Sequence, residues 1–305
     1  MKVRLRDYVV YWAARSVIGL AAVAPQWIGY GFAAWLGRTY FRCSKRRQQC
    51  ALRFLRQAFP DRSDAELLRI GRVSTGNFFK VPIDMARLTR WLERGRDLKA
   101  VVDTSAVEGA LPEPPYLVAA AHLGSWEVGA VAMAQIAGEA HAIARVSKNP
   151  LLQQWILNNR QRGGLYVHPR RGGIRPLARA VQQGAIGLQA VDQHQRLRGV
   201  QATFFGRMAS CERAAASLAL RHGYSMVVGG AVRVGRGFRF RVVREPTITF
   251  ERTGDRELDL RNAVEAVNRG LERMLRAHPE QYLWIHDRYR DRGAAASPQP
   301  AVGQH

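Results

Sequence analysis

The chain has 305 residues, 47% of them hydrophobic and 23% charged, which is enough to bury one large core or two modest ones. Lys and Arg number 47 against 24 Asp and Glu, so the formal charge of +23 should attract an acidic partner: nucleic acid, anionic lipid or an acidic protein. The three cysteines, Cys43, Cys50 and Cys211, form no C-x-x-C pair and none lies near a histidine at metal-ligand spacing, which argues against a disulfide framework and a zinc site and for reduced thiols in the cytoplasm.

Residues 8–35 read YVVYWAARSVIGLAAVAPQWIGYGFAAW, almost wholly apolar, with Arg15 the only charge and Pro25 dividing the run. Three readings compete: a cleaved signal peptide, a retained spanning or re-entrant anchor, and two helices lying in the membrane interface or packed on the core. Arg15 and the proline after the would-be cleavage site weigh against the first, and the length of the whole stretch favours the anchor. Trp12, Trp27, Tyr30 and Trp35 suit a headgroup belt, and the basic cluster Arg38, Arg42, Lys45, Arg46 and Arg47 places the rest of the chain in the cytoplasm. Residues 1–45 are therefore expected to be an N-terminal membrane-anchoring helical segment.

Residues 46–95 read as helical, with Ser63 and Glu66 at capping-box spacing. From residue 115, short apolar runs (YLVAAA, AHAIA, GLYVH, AIGLQAV and SMVVGGAVRV) alternate with helical stretches at 127–137, 149–162, 173–183 and 210–222. That alternation predicts an α/β domain over 46–292 with a mainly parallel central sheet flanked by helices on both faces. The alternating run FRFRVVREP reads as an edge or antiparallel strand, 258–277 as a further helix, and 293–305 as a disordered tail. The charge does not indicate nucleic acid, because the arginines are scattered, no recognition motif is present and the aromatics concentrate in the N-terminal run.

The segment AAAHLGSWEVGA places His122 at the carboxyl end of the YLVAAA strand and Glu127 in the first turn of the next helix. Open α/β sheets carry their chemistry at the carboxyl ends of strands. A histidine there can take the proton of a hydroxyl attacking an acyl group, with a carboxylate fixing its tautomer. On these residues alone an ordinary helix start competes, because Glu127 also complements the helix dipole. A non-catalytic binding protein on the same fold is a further alternative.

The chain resembles the lipid A biosynthesis acyltransferases, the lauroyl and myristoyl transferases of the lysophospholipid acyltransferase superfamily, from about residue 46 to 290. RRQQCALRFLRQAFPDRSDAELLRIGRVSTGNFFK is similar to the family's early helical region, AAAHLGSWE to its H-x4-D/E motif, NPLLQQWILNNRQRGGLYVHPRRGGIRPLARAVQQG to its next block, VDQH to its acidic loop, TFFGRMAS to its aromatic-glycine segment and QYLWIHDRYR to its ending. The resemblance implies transfer of a fatty acyl chain from acyl carrier protein, or coenzyme A, to a hydroxyl of a lipid A precursor or similar lipid. A lysophospholipid, ornithine lipid or glycolipid is the alternative acceptor. It also implies a monomer on the cytoplasmic side of a bacterial inner membrane, with no cofactor.

Carried over residue by residue, the resemblance makes His122 the general base and Glu127 its partner. Arg171 would lie near the acceptor or the developing oxyanion, and Asp192 would be an acidic substrate-side residue. Gly124 begins the helix whose N–H groups can serve the oxyanion, and Arg145 and Lys148 lie along the path of an acidic substrate. Ser125 stands where the family commonly carries asparagine, and the loop before TFFG has two additional arginines, which bear on the acceptor. Trp126, Trp155 or Met133 is expected to floor the acyl groove.

Overall fold

The computed structural model describes residues 3–144, 147–196 and 199–289. Arg145 and the tail expected at 293–305 lie outside them. Helices α1 (Leu5–Val23) and α2 (Gln26–Cys43) form a hairpin that breaks at Pro25, where the missing N–H suits a helix boundary and not an interior. Helices α3 (Lys45–Ala58), α4 (Asp64–Phe78) and α5 (Val81–Glu93) follow. The capping box at the start of α4 forms as its spacing predicts: the Ser63 hydroxyl accepts from the Glu66 N–H, and the Glu66 carboxylate accepts from the Ser63 N–H at 3.0 Å.

The hairpin packs on α4 and α5, and it packs closely: a Cβ on Gly37 would stand 2.6 Å from the Thr75 carbonyl oxygen. Ala22, Tyr30 and Ala33 join one apolar cluster of the domain and Phe41 joins the other. Leu5, Val9, Trp12, Leu20, Trp27 and Trp35 remain in solvent, Trp27 with 77% of its surface exposed. Among the described residues no helix is long and apolar enough to cross a membrane, so the spanning anchor expected from the sequence lacks support. The break at Pro25 and the charge of Arg15 divide the apolar run, and part of it is used in the protein's own core.

The sheet has seven strands in the order β1-β9-β8-β2-β5-β3-β4. These are β1 (Val102–Asp103), β2 (Leu117–Gly124), β3 (Ala140–Ala144), β4 (Leu165–Pro169), β5 (Ile186–Ala190), β8 (Met226–Arg233) and β9 (Phe240–Arg244). Every neighbouring pair is parallel except β8 with β9. The expected mainly parallel α/β sheet is present, and FRFRVVREP forms strand β9, which pairs antiparallel with β8. It is not the outermost one, because the two-residue β1 pairs beyond it.

Alternation along β2 divides the core. Leu117, Ala119, Ala121 and Leu123 enter the cluster shared with α8 (Ile174–Gln182), α9 (Ala214–His222) and α10 (Arg256–Ala277); Val118 enters the one shared with α5 and α6 (Trp126–Ala137). Helix α7 (Pro150–Arg162) packs beside β4.

The helix expected over 210–222 starts only at Ala214. The residues before it form a hairpin of β6 (Val200–Phe204) and β7 (Arg207–Cys211). Its two-residue turn, Phe205-Gly206, has φ of 48° and 73°, the mirror-image turn that matches strand twist, although phenylalanine rarely accepts it. Tertiary contacts hold it there: the Phe205 N–H donates to Glu272 and its carbonyl accepts from Gln57, each at 2.6 Å.

A buried ion pair ties the hairpin helices to the sheet. Asp84 of α5, fully buried, accepts from the Tyr30 hydroxyl at 2.8 Å and pairs with the Arg233 guanidinium at the end of β8. Arg233 also lies over the Tyr30 ring, 4.5 Å from its centroid. Removing one member leaves a charge stranded out of water. Asp84→Ala is expected to cost about 3–5 kcal/mol in chemical denaturation, against about 1–3 kcal/mol for Tyr30→Phe, which removes one donor only.

Candidate active site

Strand β2 is central, and its pairing with β8 shifts register between Ala120 and Gly124. Such irregularities re-aim side chains. His122 sits inside this one, facing α6, on the same strand face as Val118 and Ala120. Gly124 then turns the chain at φ 55°, where a Cβ would stand 2.0 Å from the Ala231 carbonyl oxygen; only glycine fits. Ser125, fully buried, precedes α6; its N–H donates to that carbonyl at 3.0 Å, while its hydroxyl has no partner among the described residues.

The imidazole of His122 has Asp192 as its partner, not Glu127. Asp192 follows β5, the parallel neighbour of β2, and is 1% exposed. Its Oδ1 lies 2.9 Å from His122 Nδ1, and its Oδ2 accepts the His122 backbone N–H at 3.1 Å. The His122 carbonyl in turn accepts from the Leu283 N–H at 3.2 Å. An ionised Asp192 only accepts, so Nδ1 carries the proton and Nε2 is the basic nitrogen of the neutral ring. The Gln193 amide nitrogen stands 3.4 Å from Nε2.

Glu127 is engaged elsewhere. Arg160 of α7 grips its carboxylate at both oxygens, at 2.9 Å and 2.7 Å, and the Trp126 indole N–H donates to it at 3.2 Å. The His122–Glu127 hydrogen bond expected from the H-x4-E spacing therefore does not form. Glu127 begins a helix that runs away from the strand, and its carboxylate reaches α7 instead. Trp126 meets the His122 ring edge-on, with centroids 5.0 Å apart.

These charges set the titration. Burial alone would lower the His122 pKa, but the Asp192 carboxylate and its hydrogen bond, helped by Glu127, raise it above the ordinary imidazole value. Burial would raise Asp192 and Glu127; the His122 pairing holds the first below the usual carboxylate range, and Arg160 does so for the second.

A cavity of about 120 Å³ opens beside His122, between α6 and the sheet. Ala120, Ala142, Ala190 and Gly229 leave it room, and Met133 and Trp126 line it; Trp155 does not, and packs under Arg15 at 4.6 Å instead. Arg160 is also in its wall, and its Nη1 makes no hydrogen bond among the described residues.

Other residues singled out in the sequence are not brought to this cavity. Arg171 is exposed beyond β4, three strand positions and roughly 14 Å from β2. Lys148 is exposed ahead of α7, and Arg145 lies outside the described residues. Arg160 was not singled out by the sequence, since nothing local links it to a glutamate 33 positions earlier. Among the described residues no group of three or more His, Cys, Asp or Glu is placed to hold a metal ion.

The family model described as "Bacterial lipid A biosynthesis acyltransferase" matches residues 1–291. No curated protein matches the sequence significantly. Among solved structures, the 1-acyl-sn-glycerophosphate (LPA) acyltransferase, PlsC, from Thermotoga maritima matches with a TM-score of 0.37 and 12% identity, covering 82% of this chain and 98% of that one. With the family model running through both the H-x4-E segment and the Asp192 loop, the chain belongs to the bacterial lipid A biosynthesis acyltransferase family and is an acyl-transfer enzyme.

Proposed function

We propose that this enzyme moves a fatty acyl chain from an acyl-carrier-protein or coenzyme A thioester to a hydroxyl of a lipid A precursor or similar lipid, with His122 as general base and Asp192 as the residue that orients it. The observation that carries this reading is the His122–Asp192 pair at the carboxyl end of the central strand, with Nε2 beside an apolar cavity.

Nε2 takes the acceptor's hydroxyl proton as its oxygen bonds to the thioester carbonyl carbon. Asp192 stabilises the imidazolium that results. The negative oxygen of the tetrahedral intermediate is met by the N–H groups opening α6 and by the charge of Arg160, which Glu127 holds in place. Collapse breaks the carbon–sulfur bond, and the thiolate leaves with the proton that His122 carries. Ester and free thiol are the products, and no covalent enzyme intermediate is required.

Membrane association is supported by the hairpin's exposed face. Trp12, Leu20, Trp27 and Trp35, backed by Arg38, Arg42 and Lys45, suit helices lying in the interface of an anionic leaflet. In the expected location, the cytoplasmic face of a bacterial inner membrane, both the lipid acceptor and an acidic carrier protein are within reach.

His122→Ala is expected to lower kcat about 10²–10⁴-fold in an assay of acyl transfer from acyl carrier protein, and wild-type turnover would sink the assignment. Because the neutral imidazole is the base, kcat/KM should rise with pH through a pKa above 6.5. Asp192→Asn removes the charge that raises this pKa, so the limb should move to lower pH as kcat falls. Glu127→Gln should also reduce kcat but shift the limb less, because its oxygens serve Arg160; a larger shift in Glu127→Gln than in Asp192→Asn would restore Glu127 as the imidazole's partner. Co-sedimentation with vesicles containing phosphatidylglycerol should weaken about tenfold or more in Trp12→Ser/Trp27→Ser, each residue's burial contributing on the order of 1 kcal/mol or more, and unchanged binding would remove the hairpin as the membrane contact.

A further inference from the structure

A second cavity, of about 590 Å³, adjoins the site through the loop that carries Asp192. His194 and Arg196 of that loop line one wall, and Arg46 and Arg53, seven apart on one face of α3, line another. Arg207 of β7 and Arg288 complete it. Arg288 is buried and fixed: its Nη1 donates to the Ser210 carbonyl at 2.7 Å, its Nη2 lies 2.8 Å from Cys211 Sγ, and its Nε has no partner among the described residues.

Five guanidinium groups thus surround one cavity with a single carboxylate, Asp287, in its lining. Among the described residues Arg46, Arg53 and Arg196 form no ion pair with a carboxylate. Like charges gathered in a concave site repel, and a multiply charged anion relieves that repulsion. Guanidinium forks match phosphate oxygens two at a time, and a phosphomonoester brings close to two charges where a phosphodiester brings one. The volume is that of a site for a small polar head, of the order of 300–1,000 Å³, and not of a groove for nucleic acid.

We infer that this arginine-lined cavity binds the phosphomonoester-bearing head of a substrate while its acyl-reacting end reaches His122. The place beside His122 rests on the acyl-transfer reading; the binding of phosphate does not. The head belongs either to the acceptor lipid or to a coenzyme A donor.

The test is calorimetric titration of the full chain with inorganic pyrophosphate in about 0.15 M salt, where diffuse surface attraction is screened. The double variant Arg53→Gln/Arg196→Gln should weaken binding about tenfold or more, whereas Arg90→Gln/Arg94→Gln, which loses the same charge from exposed positions at the C-terminal end of α5, should leave it unchanged. Displacement of pyrophosphate by glucosamine 1-phosphate places an acceptor head in the cavity, and displacement by coenzyme A but not 3′-dephospho-coenzyme A places the donor there. Absence of pyrophosphate binding by the wild type, equal losses in the two double variants, or displacement by none of these ligands overturns the inference. Because no arm requires turnover, failure of the acyl-transfer reading and failure of this one are told apart.

Discussion

A carboxylate removed from water must find its hydrogen bonds inside the protein, and Asp192, 1% exposed, takes two of them from one residue: the backbone N–H and the ring nitrogen of His122. That requirement fixes the position of the histidine backbone as well as its ring. Strand β2 has to leave its regular pairing with β8 so that the His122 N–H can turn to β5's end, and the shift of register between Ala120 and Gly124 is the result. The freed carbonyl of His122 is taken by Leu283, from the segment beyond α10. Gly124 answers to the same constraint, because the chain has to recover its path within one residue against the Ala231 carbonyl. The phenol of Tyr282, buried and next to Asp192, has its pKa pushed well above the ordinary value by burial and by that carboxylate, and so stays a neutral neighbour.

Two buried carboxylates near one imidazole create a problem that Arg160 resolves. Each raises the affinity of His122 for its proton, and a histidine held protonated is no base. With both oxygens of Glu127 gripped by Arg160, the net charge of that pair is near zero and its influence on the ring is the lesser one. In the proposed mechanism Asp192 is then the orienting group while Glu127 organises the cation. The division explains why the H-x4-E spacing invites a direct contact that the fold does not make: a strand end and a helix start point their side chains in different directions, so five positions of sequence separation do not give adjacency.

The parts of this arrangement legible in the sequence are the local ones. Apolar runs flanked by helical stretches marked β2, β3, β4, β5 and β8, the capping box marked the start of α4, and the strand-end position marked His122. The partners of His122 and Glu127 were not legible, because Asp192 reaches His122 only through the adjacency of β5 and β2, and Arg160 reaches Glu127 only through the packing of α7 near α6. Sheet order is a property of the whole chain. The β6–β7 hairpin escaped for a related reason: Phe205 adopts a left-handed conformation that its own chemistry disfavours, held there by Glu272 and Gln57 from distant elements. The apolar N-terminal run suggested a membrane anchor, and its composition does not reveal that Tyr30 and Ala33 are needed in the core.

The charge of +23 acquires a more specific meaning once it is located. Much of it is spread over exposed surface, where arginines pair loosely or face water. Around one cavity it is concentrated, on the side of His122 reached through the Asp192 loop, while the cavity on the α6 side is lined mainly by apolar residues, with the Glu127–Arg160 pair in its wall. As the proposed general base, His122 stands between one largely apolar and one strongly basic hollow, an arrangement suited to molecules that are themselves divided, with a hydrocarbon chain at one end and an anionic head at the other. On the proposed reading, the hairpin's exposed tryptophans would hold His122 at the bilayer surface, where such amphiphiles are stored, so the path from bilayer to reacting nitrogen would not have to pass through water.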